Sequence, residues 1–193
     1  AMGGDFHFYQ VDCGKLSGLS MLGYGSLSGS YAGVWDTRGP SFHIDSKVER
    51  LNIHQGNVKD MKVAMTYETG KLDVMATVEN EQMQGGVLLA YDLSDSLNFL
   101  STRGQLRIDE LAAFGLDIKG GQEALETSFE IIHAGQENKS FTNLSLTDFK
   151  YTCDTATFTI DKISMEDNQK GDHNTTTLKS DVVDLFISGN FRE

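Results

Sequence analysis

The amino-acid sequence predicts an all-β protein, and three observations carry that prediction. Apolar and polar residues alternate with period 2 over much of the chain, as they do in a strand with one buried and one wet face. Helical spacing of apolar residues is scarce. Pro40 is the only proline, so almost nothing interrupts pairing between neighbouring strands.

From the N-terminus, Ala1-Met2-Gly3-Gly4 reads as an expression scar, and residues 5–193 as one continuous architecture. A short helix near residues 16–22 is weakened by Gly18 and Gly23. The segment 23–35 mixes small residues with Tyr24, Leu27, Tyr31, Val34 and Trp35, which suits a strand that bends sharply or meets another backbone closely. Phe42, Ile44 and Val48 then alternate with His43, Asp45, Lys47 and Glu49. Met61, Val63, Met65 and Tyr67 repeat the pattern, and Leu72, Val74, Ala76 and Val78 repeat it again. Glu68-Thr69-Gly70-Lys71 between those two runs fits a hairpin, which makes them antiparallel neighbours.

Shorter runs follow: Val87, Leu89 and Tyr91; Leu106 and Ile108; Phe129 and Ile131; Leu144 and Leu146; Ala156, Phe158 and Ile160; Val183, Leu185 and Ile187. Turn-like punctuation stands at Gly85-Gly86, Arg103-Gly104, Gly120-Gly121 and the polar stretch 166–177. Asp109 is placed to cap a single helical turn through Leu111 and Phe114. Strands spaced in this way indicate an all-β sheet, sandwich or barrel.

Composition narrows the functional classes. The chain has 193 residues, 39% of them hydrophobic, which is too apolar for disorder but thin for a double-sided core. An all-β structure with one wet face needs this balance. The net charge of -12 argues against nucleic acid and anionic membrane surfaces, both of which call for clustered Lys and Arg. Cys13 and Cys153 are too few for a disulfide scaffold and show no metal spacing; pairing between them in an oxidising compartment stays open. Nothing approaches the roughly 18 consecutive apolar residues of a membrane-spanning helix.

Catalytic signatures are missing. In the glycine cluster Ser28 stands where G-x-G-x-x-G needs its third glycine, and neither G-x-S-x-G nor H-E-x-x-H occurs. His7, His43, His54, His133 and His173 are scattered, and the acidic run 166–172 lacks the closing Glu of a calcium loop. Neither an enzyme, a metal nor a cofactor is expected. Asn138, Asn143 and Asn174 open N-glycosylation patterns that matter only in a eukaryotic secretory protein.

Several stretches resemble a known family. Gly25-Ser-Leu-Ser-Gly29-Ser-Tyr-Ala-Gly33-Val-Trp35, followed by Gly39-Pro40, Leu51-Asn-Ile53 and Val58-Lys-Asp-Met-Lys-Val63, is similar to the recurrent strand module of the TamB family of AsmA-like envelope proteins. The stretch from Gly104 to Leu116, and those from Ile160 to Met165 and Leu178 to Phe191, resemble the long TamB-like proteins of Bacteroidota. Phe191 departs from the Tyr commoner there, and the family's inner-membrane anchor and outer-membrane-facing terminus have no counterpart in these residues.

The resemblance implies a β-taco: a U-shaped, extended, antiparallel-rich sheet with an apolar interior and at most short helices. It further implies a segment of a longer protein of the bacterial periplasm, anchored in the inner membrane. Such a protein conveys phospholipid between inner and outer membranes or assists outer-membrane protein assembly. The partners implied are phospholipid acyl chains or client β-strands, and an outer-membrane barrel reached through regions outside this fragment. Candidate groove residues are Phe42, Ile44, Val48, Met61, Val63, Met65, Leu72, Val74, Val87, Leu89, Phe158 and Ile160. The alternative is a structural or adhesive β-sandwich that binds protein or glycan through an aromatic patch around Tyr31 and Trp35.

Overall fold

Every strand pairs with its neighbours in sequence, so that twelve strands form one antiparallel sheet in the order β1 to β12. The computed structural model describes residues 1–37, 39–93, 98–116, 121–136 and 139–190. The strands are β1 (Met2–Asp12), β2 (Leu22–Asp36), β3 (Gly39–Ile53), β4 (Gly56–Glu68), β5 (Lys71–Glu79) and β6 (Met83–Asp92). They continue as β7 (Asn98–Ile108), β8 (Glu123–Gln136), β9 (Lys139–Cys153), β10 (Ala156–Lys170), β11 (His173–Ser180) and β12 (Asp184–Gly189). Among the described residues helix is confined to α1 (Cys13–Ser17) and one 3-10 turn, Leu111–Phe114. The fold is the all-β, taco-like open sheet that the alternation and the resemblance together imply.

The sheet is not closed: β1 and β12 are its two edges. A compact monomer of 21.3 kDa exposes about 9,100 Å². This chain exposes 12754 Å². Among the described residues only Val58, Ile108, Leu111, Phe114 and Ile160 are buried hydrophobic side chains. A single layer produces both results, because neither face has a second sheet packed along its length.

The hairpin expected at residues 68–71 is present, with Thr69 and Gly70 at φ 50° and 82°, the left-handed pair that matches the twist of two flanking strands. Other punctuation lies elsewhere than expected. Gly85, Gly86 and Gly104 sit inside β6 and β7. Gly85 and Gly104 mark close approach rather than a turn: a Cβ added at Gly104 would lie 2.9 Å from the Phe129 ring. Polar residues 166–177 form the end of β10 and most of β11, turning only at Gly171, φ 62°. Alternation is invisible there because Asp167 and Thr176 occupy the phase that is apolar further along the strands.

Two helical expectations shift. The first helix starts earlier, at Cys13, because Asp12 caps it by accepting from the Lys15 backbone N–H at 3.0 Å. Gly18, at φ 74°, ends it. Asp109 does not cap the turn at Leu111; it accepts from Arg107 Nε at 2.8 Å, and Glu110 takes the cap position without a capping side-chain bond to the turn. Met2, Gly3 and Gly4, read as a scar, extend β1 against Gly33, Ala32 and Tyr31. Cys13 and Cys153 are both thiols and form no disulfide with one another. Asn143 and Asn174 lie in β9 and β11, while Gly120, Asn138 and Phe191 fall outside the described residues.

Bulges interrupt the alternation. In β1 the register slips between Phe8 and Val11, and Gln10 takes φ 51°. Asp60 in β4 and Asp148 in β9 take φ 56° and 54°. The exposure pattern changes phase at matching places, with Glu49 and Arg50, Lys59 and Asp60, and Asp161 and Lys162 exposed in succession. Each doubling bends its strand and returns the apolar phase to the same face. Without it the far half of the strand would turn its apolar side chains outward.

Candidate functional site

Residues directly opposite one another across paired strands share a face, so the registers define cross-strand rows. Phe42, Tyr67, Leu72, Tyr91 and Leu100 form one row from β3 to β7. Ile44, Met65, Val74, Leu89, Thr102 and Ile131 form the next. A third runs from Ser46 through Val63, Ala76, Val87, Gly104, Phe129 and Leu146 to Ile163 on β10. Val48 and Met61 begin a fourth. The second row continues through Leu144, Met165 and Leu178 to Leu185 on β12, whereas the first turns polar at His133, Thr142, Asp167 and Thr176; Phe6 and Phe8 extend the apolar face on β1.

The candidate residues fall on this face in two places. Phe42, Ile44, Val48, Met61, Val63, Met65, Leu72, Val74, Val87 and Leu89 form a contiguous block over β3 to β6, and all of them are half-buried. Phe42 and Tyr67 stack with ring centroids 5.2 Å apart. Phe158 and Ile160 stand apart on β10, opposite Tyr151 and Phe149. Ile160 is buried and Phe158 is 49% exposed. Tyr31, set aside for an adhesive patch, belongs to the apolar face beside Ile44, and Trp35 lies near its rim opposite Pro40.

Sequence reasoning missed the cover over one end of this face. The 3-10 turn after β7 folds back so that Leu111 and Phe114 bury themselves with Val58 and Ile108. Leu51, Met61, Val78, Leu125 and Tyr151 pack around them. Gly56 makes room: an added Cβ would lie 2.7 Å from the Phe114 ring. Backbone N–H of Gln55 donates to the Ala113 carbonyl at 2.9 Å, and Gln82 Nε2 donates to Glu110 at 3.0 Å. These bonds strap the turn to the β3–β4 and β5–β6 hairpins. The only sequence signal was the Leu111 and Phe114 pair, which says nothing of where the turn lands.

Beside the strap, Glu123 is 2% exposed and accepts a hydrogen bond from the Tyr151 hydroxyl at 2.6 Å. That bond, together with burial, raises the Tyr151 pKa well above the ordinary tyrosine value. The opposite face carries the charges. Lys47 Nζ and Asp60 Oδ1 pair at 2.5 Å, which holds Asp60 below and Lys47 above their usual ranges. His43, on this polar face, bridges Thr66 and Asp45 at 2.9 and 2.8 Å. Among the described residues no three His, Cys, Asp or Glu side chains are grouped to hold a metal ion. No helix among them is long and apolar enough to cross a membrane.

No protein-family model, curated protein or solved structure matches the chain. Fold and face nonetheless define a class of protein: an open, single-layer antiparallel sheet with one mainly apolar face and one mainly polar face.

Proposed function

We propose that the chain is a segment of a TamB-like envelope protein whose apolar face conveys lipid acyl chains. One observation carries this reading: the block from Phe42 to Leu89 is contiguous over four successive strands while its apolar side chains stay partly exposed. A soluble monomer rarely leaves a contiguous apolar patch of more than a few hundred Å² uncovered unless something binds there. Rows perpendicular to the strands give a path of about 53 Å, from eleven steps of roughly 4.8 Å. No buried charge interrupts the block from Phe42 to Leu89, so a hydrocarbon chain meets the same environment at each step.

The methionines suit such a surface, since Met61 and Met65 adapt their flexible thioethers to varied chains. In this reading the parent protein works in the bacterial periplasm between inner and outer membranes, anchored in the inner membrane. Its guest is phospholipid or a client β-strand, and it reaches an outer-membrane barrel through other regions. The adhesive sandwich gains less support, because its closed core needs two facing sheets and all twelve strands here belong to one.

The test is lipid bound by the protein purified from bacterial cells, quantified by mass spectrometry of an organic extract. Phospholipid is expected with the wild-type protein and at least tenfold less with Val63→Glu or Val74→Glu, since each places a carboxylate in the middle of an apolar row. Circular dichroism of the variants should remain that of a β protein. Lipid-free wild-type protein, or equal lipid in the variants, overturns the proposal.

A further inference from the structure

The polar face carries a feature that the acyl-chain reading does not use. Near the ends of β1, β2 and β3 lies a cleft of about 480 Å³ lined by Tyr9, Gln10, Tyr24, Glu49, Arg50 and Asn52. That volume is within the roughly 300–1,000 Å³ range of small-molecule sites. We propose that this cleft binds a neutral carbohydrate.

Two bulges build it. Because β1 slips between Phe8 and Val11, Tyr9 and Gln10 are both exposed in succession where alternation would bury one of them. Gln10 is held at φ 51°, a conformation a non-glycine residue seldom adopts, by its backbone N–H donating to the buried Ser26 Oγ at 3.1 Å. The phase change in β3 does the same for Glu49 and Arg50. Such distortions concentrate where side chains are re-aimed for binding. Each bulge thereby adds one side chain to the polar side that alternation would have turned away.

The side chains presented select the ligand class. Tyr9 and Tyr24 are 70% and 57% exposed, so two large aromatic rings stand in solvent on the face that carries the charged groups. Aromatic rings of this kind offer a flat apolar surface next to a polar tip. Arg50 is fixed in place, its Nε donating to Asn52 Oδ1 at 3.2 Å. Glu49 accepts from Ser28 Oγ at 3.0 Å and faces His7 Nδ1 at 3.9 Å. The lining therefore offers fixed donors from Arg50 and acceptors from Glu49, with amides on Gln10 and Asn52 that do both. A phosphate or carboxylate ligand would be repelled by Glu49, and a quaternary ammonium by Arg50. A saccharide satisfies every group, with C–H faces against the tyrosines and hydroxyls that both donate and accept.

The cleft lies on the opposite side of the sheet from the apolar rows, so the two proposals stand or fall separately. The experiment is isothermal titration calorimetry of the full chain with cellotetraose, maltotetraose and diacetylchitobiose, and with inorganic phosphate and choline as charged probes. Saturable binding of at least one saccharide is expected, with none of phosphate or choline. Tyr9→Ala and Tyr24→Ala should each weaken it at least tenfold with unchanged melting temperatures, and Trp35→Ala, at an exposed ring elsewhere, should leave it unaltered. Absence of binding by all three saccharides overturns the proposal, as does binding indifferent to both tyrosine substitutions or preference for a charged probe.

Discussion

Tyr151 and Glu123 show how one pair of side chains ties stability to pH. The carboxylate of Glu123 is buried, and the Tyr151 hydroxyl donates to it at 2.6 Å, so folding holds the phenol protonated beyond its ordinary range. A raised folded pKa contributes stability that is fully present below the unfolded value of about 10 and is lost as pH rises through the folded value. Urea unfolding of the wild type and Tyr151→Phe at pH 8 and pH 11 is therefore expected to show a wild-type advantage at pH 8 that shrinks at pH 11. An advantage that grows with pH contradicts the assignment. The alternation of Phe42 to Val78 was legible residue by residue, but nothing in the sequence pairs Glu123 with a tyrosine 28 residues away. Asp60 and Asp148 were equally opaque, because an aspartate in a strand pattern does not announce a left-handed backbone.

At the scale of elements, the strap between β7 and β8 buries Leu111 and Phe114 against Val58 of β4 and Ile108 of β7, four of the most buried hydrophobic side chains among the described residues. Phe114→Ala should destabilise the fold by about 3–5 kcal/mol, the usual cost of emptying an aromatic core site. Gly56→Val is expected to act in the same direction, because its Cβ would meet the Phe114 ring. Thermal melts of both variants check this, and equal melting temperatures to wild type would place the strap outside the cooperative fold. A short turn through Leu111 and Phe114 was readable from the sequence, whereas its cap was not, since Asp109 had a competing bond to Arg107. Glycine pairs were misleading for a related reason. A glycine serves a turn and a close ring contact equally well, and only the neighbour across the strand tells them apart.

For the whole molecule, an open meander leaves two edges with unpaired backbone groups. The β12 edge is undefended: Leu185, Phe186 and Ile187 are exposed, and the strand contains neither proline nor lysine. Concentration-dependent association is expected in sedimentation velocity, reduced by Phe186→Lys, since a charge on an edge strand opposes pairing with another chain. Association unaffected by that substitution would assign it to another surface. Local connections throughout make the sheet a topology of neighbouring hairpins, which favours rapid folding relative to sheets built from distant strands.

By itself the sequence determined the strands that alternate, from Phe42 to Val78 above all, and their sidedness, because a period of 2 states which side chains lie together whatever the strand packs against. It also determined the chief hairpin, since Thr69-Gly70 fits few other structures. Only the tertiary structure decided that the apolar face lies open over most of its length and closed beneath Leu111 and Phe114. Alternation has the same form whether an apolar face meets a second sheet, a strap or a guest, so what covers it depends on contacts between residues far apart in the chain.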